Sequence, residues 1–95
     1  MSAAVAPDLS ALARRIVWFE PPEVALANPA RFLAYLMTYG TVSDLEVARR
    51  HFSEDDFREA LQAAPPGIFD PRSWAYWNLM MGRHPPPPMP RRVIP

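Results

Sequence analysis

Few residues in this chain could do acid–base or metal chemistry: His51 and His84, and a group of acids at Glu54, Asp55, Asp56 and Glu59. Histidine is the side chain whose charge changes near neutral pH, so the two histidines are the first candidates for a general acid or base. His51 follows "ARR" at the end of a helical segment, where an imidazolium meets the helix dipole favourably, and His84 stands at the mouth of a proline run. Neither has a cysteine or carboxylate beside it at a spacing that makes a ligand set or a nucleophile–base pair. The acids lack the spaced oxygen ligands and the glycine of a calcium loop, and they read as the solvated first turns of a helix. No phosphate-binding glycine loop occurs either. The sequence thus offers no catalytic residue, metal ligand or cofactor site, and the function expected from it is non-enzymatic.

Binding is where the unusual residues gather. In "FDPRSWAYWNLMMGRHPPPPMP", Trp74, Trp77 and Met81 fall on one helical face at i, i+3 and i+7, while Tyr76, Leu79 and Met80 lie around the side. A helix apolar nearly all round is either central or has a second face for a partner. Trp, Tyr and Met are enriched in interfaces, so one face is read as core and the other as interface. Pro85, Pro86, Pro87 and Pro88 then favour an extended polyproline II tail that is preformed for docking. Arg91 and Arg92 make this end locally basic, which suits an acidic groove on a partner protein. The candidate partner-binding residues are therefore Trp74, Tyr76, Trp77, Met80, Met81, the four prolines, Arg91 and Arg92.

The elements that must position them are legible from the punctuation. A chain of 95 residues with 49% hydrophobic residues, a formal charge of +0 and no cysteine has the composition of one compact domain in a reducing cytoplasm. It shows neither a leader-like start nor an apolar run long enough to span a membrane. The spacing predicts a first helix over 9–18 with Asp8 as cap, stopped by Pro21 and Pro22. A second opens with Asn28 and Pro29, carries Phe32, Leu33, Leu36, Met37 and Tyr39 inward, and ends at Gly40 in a left-handed cap. Two more start at Ser43 and Ser53, the latter turning Phe57, Ala60, Leu61 and Ala64 inward. The last is capped by Asp70 and runs to about Gly82. No strand alternation appears, so the fold expected is all-α: about five short helices over 8–84, with a flexible N-terminus over 1–7 and a proline-rich extended tail over 85–95.

The segments "VWFEPPEVAL", "FLAYLMTYGTVSDL" and "DFREALQAAPPGIFDPRSWAYW" together resemble the small helical bacterial proteins encoded beside nucleotidyltransferase-like toxins of the AbiEii type. The resemblance covers roughly residues 18–77 and departs at the proline-rich tail. It implies an antitoxin-like role, in which a helical domain binds and restrains a neighbouring toxin enzyme, and it carries no catalytic residues. The alternative is a small DNA-binding regulator with a helix-turn-helix at about 43–63. Against it, the recognition helix would enter the major groove with "SEDDF" foremost, and those carboxylates would meet a polyanion.

Overall fold

Among the described residues, proline is the first residue of four of the six helices, because its fixed φ and missing N–H are both tolerated at that position. The computed structural model describes residues 6–90, and the expectations for residues 1–5 and for Arg91 and Arg92 lie outside them. Among the described residues the chain is all helical in its regular structure: α1 (Pro7–Ile16), α2 (Pro22–Leu26), α3 (Pro29–Tyr39), α4 (Val42–Arg49), α5 (Glu54–Gln62) and α6 (Pro71–Met80).

The caps read from sequence hold at three helices and fail at two. Asn28, Ser53 and Asp70 each accept the backbone N–H three residues on, as an N-cap should. Asp8 is not a cap: α1 begins at Pro7 behind Ala6, two residues before the expected start at Leu9, and frees the Asp8 carboxylate for His51 and Arg50. Ser43 lies inside α4, whose cap is Thr41 in a reciprocal capping box with Asp44. Pro22, expected only to stop the first helix, also starts α2, which is why the described residues hold six helices rather than about five.

Helix α3 is the hub. It packs against each of the other five helices, and to do so it buries Phe32, Leu33, Ala34, Leu36 and Met37, more than one face of a helix. From the flanks, Leu12, Ala13 and Val17 of the α1 region, Ala48 of α4, Phe57, Ala60 and Leu61 of α5, and Trp74 and Trp77 of α6 complete one core. Tyr39 departs from its expected inward place. It ends α3 beyond the reach of the flanking helices, is 64% exposed, and stacks on Tyr35 at 6.3 Å.

Gly40 also departs from expectation, since its φ of −75° and ψ of 155° are ordinary extended backbone. What requires glycine there is space: a Cβ would sit 2.6 Å from the Leu36 carbonyl oxygen and 2.9 Å from Leu36 Cδ1. Gly82, just past α6, does take the left-handed conformation, with φ of 81° and open space around it. The two glycines should therefore fail differently. Gly40→Ala is expected to lower stability by about 1–3 kcal/mol through steric clash, and Gly82→Ala by about 1 kcal/mol through backbone strain alone. Urea unfolding of both variants checks this, and a Gly40→Ala protein as stable as the parent would contradict it.

Candidate functional site

Helix α6 divides its side chains sharply. Trp74, Trp77 and Asn78 are buried, with the two tryptophans 5% and 4% exposed, and Met81 is half-buried on the same stripe. Tyr76, Leu79 and Met80 are 51%, 56% and 55% exposed. Two hydrogen bonds fix this orientation. The Trp77 indole Nε1–H donates to the Met37 carbonyl at 2.7 Å, satisfying one of the last-turn carbonyls that α3 cannot pair internally. The Asn78 amide donates to the Trp74 carbonyl one turn back at 2.8 Å.

Beside the exposed face lies an open groove of about 480 Å³ between the start of α5 and the end of α6. Phe52, Phe57, Trp77, Met80 and Met81 supply its apolar wall, and Arg49, Ser53 and Glu54 its polar rim. The Phe57 and Trp77 rings stack at 5.9 Å, and the Arg49 guanidinium lies 6.0 Å from the Phe57 ring centre. Three residues expected at a partner surface, Trp77, Met80 and Met81, are thus brought together, joined by Phe52 and Phe57. Trp74 and the prolines are placed elsewhere: the chain turns back after α6, and the Trp74 indole Nε1–H donates to the Pro87 carbonyl at 2.7 Å. The tail expected to await a partner is seated on its own domain over the described residues, with Met89 packed against the core.

A second surface went unnoticed in the sequence. Trp18 and Phe19 follow α1 and meet Tyr35 and Tyr39 of α3 around a groove of about 370 Å³, with Arg15 and Ile16 at its edge. Trp18 is 79% exposed. The rings form a chain of edge-on and stacked contacts at 5.7, 5.8 and 6.3 Å. Arg31 covers Tyr35 at 5.3 Å while pairing with Glu20, an ion pair that fixes the loop before α2 against α3. The signal was available in "VWF" ahead of Pro21 and Pro22: three successive bulky residues at a helix end cannot all reach one core, and with Val17 buried Trp18 and Phe19 are left exposed in the turn that follows α1.

Of the candidate acid–base residues, His51, Glu54, Asp55 and Asp56 make contacts that tie or cap helices, while His84 and Glu59 are exposed. His51 Nε2 lies 3.0 Å from Asp8 Oδ1, and Arg50 approaches the other Asp8 oxygen at 3.5 Å, tying the start of α1 to the turn after α4. The hydrogen bond from His51 holds the Asp8 carboxyl below its ordinary value of 3.8. Glu54 and Asp55 are exposed and pair only with Arg58 on their own helix, and Asp56 belongs to the Ser53 capping box. No group of three His, Cys, Asp or Glu among the described residues could hold a metal ion. Compared with protein-family models, curated proteins and solved structures, the chain matches none.

The two faces of α6 should separate in unfolding experiments. Trp77→Ala is expected to cost about 3–5 kcal/mol, as large-to-small core changes do, whereas Tyr76→Ala and Met80→Ala should stay within about 0.5 kcal/mol of the parent. Equal losses for all three would contradict the division. A folded-state carboxyl pKa below the unfolded one stabilises the domain above the unfolded value and loses that contribution as pH falls through the folded value. The Asp8 contribution should accordingly be complete above about pH 4 and fade below it. In an NMR titration Asp8 should show a midpoint below 3.8 that His51→Ala moves upward; a midpoint at or above 3.8 in the parent would refute the pairing.

Proposed function

We propose that this chain is a non-enzymatic protein-binding module that docks a partner protein on the outer face of α6 and the adjoining groove. The observation that carries the reading is the half-exposure of Tyr76, Leu79 and Met80 on a helix whose opposite face is locked by the Trp77 bond to Met37. Large apolar side chains on a rigid element lose little conformational freedom on binding, and aromatic anchors of this kind dominate interface energies. Arg49 and Glu54 at the groove rim supply charges of both signs to set the register of the bound chain.

The kind of partner comes from the sequence resemblance: a nucleotidyltransferase-like toxin that the module restrains in the cytoplasm as an antitoxin or accessory subunit. No helix among the described residues is long and apolar enough to cross a membrane, which is compatible with that setting. The DNA-regulator reading has less support, because α5 would lead into a groove with Glu54 and Asp55 exposed and Arg58 already paired to both.

Binding of a nucleotidyltransferase-like toxin of the AbiEii type, followed by calorimetry, tests the proposal. Tyr76→Ala with Met80→Ala is expected to weaken the complex at least tenfold without lowering the melting temperature of the free domain. Trp18→Ala with Tyr39→Ala, on the other aromatic surface, should leave the affinity unchanged. The reverse pattern would move the interface to the α1–α3 side, and no binding by the parent would remove the toxin as partner.

A further inference from the structure

The contact between Trp74 and the tail has a chemistry of its own, independent of the partner surface just proposed. Residues 85–88 are successive prolines without N–H groups, so they can hydrogen-bond only through their carbonyls. Trp74 meets that requirement with its indole donor on the Pro87 carbonyl. Phe69 packs edge-on against the Trp74 ring at 5.4 Å, and both rings are buried, so the donor is held in a fixed direction. The segment arrives in place because Gly82 turns the chain in its left-handed conformation and the Arg83 N–H closes the turn on the Asn78 carbonyl at 2.7 Å. Pro86, Pro87, Met89 and Pro90 are each partly buried along this path, and Met89 packs on the core. An aromatic floor with an indole N–H aimed at a proline carbonyl is the arrangement by which stiff proline-rich segments are recognised, since such ligands offer carbonyls and ring faces and lose little entropy on docking.

We propose that Trp74 and Phe69 form a binding site for a proline-rich segment, closed in the free protein by residues 85–90 of the same chain, and that the equivalent segment of a second copy can take its place. A ligand tethered by so short a linker competes at an effective concentration on the order of millimolar. The site is therefore silent towards dilute ligand until the tether's own grip is weakened. Met89 provides the means, because its side chain adds a contact to the core without touching the indole hydrogen bond.

The probe is a fluorescein-labelled peptide, PPPPMPRRVIP, identical to residues 85–95, titrated into the full-length chain and read by fluorescence polarisation. Met89→Ala is expected to bind it at least tenfold more tightly than the parent, and adding Trp74→Phe, which keeps a ring and deletes the donor, should cancel the gain. The peptide with its first four prolines changed to alanine should not compete. In 15N-labelled Met89→Ala the Trp74 indole N–H resonance should shift from its parental position and return on addition of unlabelled peptide, a readout that does not depend on the Trp74→Phe protein folding. Equal affinity for parent and Met89→Ala, binding unaffected by loss of the indole donor, or an indole resonance indifferent to peptide would each overturn the proposal.

Discussion

The hydrogen bond from the Trp77 indole to the Met37 carbonyl is the constraint on which the rest of the molecule turns. It joins the last helix to the last turn of the central one across 40 residues of sequence, and both groups are buried. A carbonyl at the end of a buried helix is costly to leave unpaired. The sequence supplies a side chain that satisfies it and fills core volume at the same time. Once Trp77 is fixed by Met37 and by stacking on Phe57, the 100° step of the helix leaves no choice about Tyr76, Leu79 and Met80. The exposed face of α6 is thus a geometric consequence of how its buried face is anchored.

Around that centre, the short helices share one apolar core and are tied by polar contacts at their ends. Arg15 of α1 pairs with Asp44, whose buried carboxylate also closes the capping box of α4. Arg31 of α3 pairs with Glu20 ahead of α2, and Asp8 gathers His51 and Arg50 from the turn after α4. Asp8, Glu20 and Asp44 join separate elements, and Asp44, Asp56 and Asp70 cap helices. Helices of five to eleven residues are too short to stand on intrinsic propensity, so their boundaries depend on these ties and on proline at the first position.

Much of this was legible in the sequence because proline, glycine and small polar residues mark helix ends by local rules. Asn28, Ser53 and Asp70 obey those rules, and the inward set Phe57, Ala60, Leu61 and Ala64 follows from the helical period. Asp8 and Ser43 failed as caps because a neighbouring residue did better: Pro7 can open a helix with no cap side chain, and Thr41 has Asp44 three places on to complete the box. Tyr39 obeys the period of α3 yet is exposed, since a period tells which way a residue faces and not whether another helix reaches that far. The division of α6 was readable from spacing. The seat of Pro87 on Trp74 and the meeting of Trp18 with Tyr39's groove depend on chain reversals that no local rule encodes.

The central claim is that Trp77 is sealed between α6 and α3 while the neighbouring face stays open, and amide exchange measures this directly. The chain has three tryptophans, Trp18, Trp74 and Trp77, whose indole N–H groups are resolved separately in a 15N–1H spectrum. Placed in D2O, the Trp77 indole should exchange last, at the rate set by unfolding of the whole domain, and Trp18 should exchange at once. If the Trp77 indole exchanged as fast as that of Trp18, the bond to Met37 would not be holding α6, and the account of its two faces would fall.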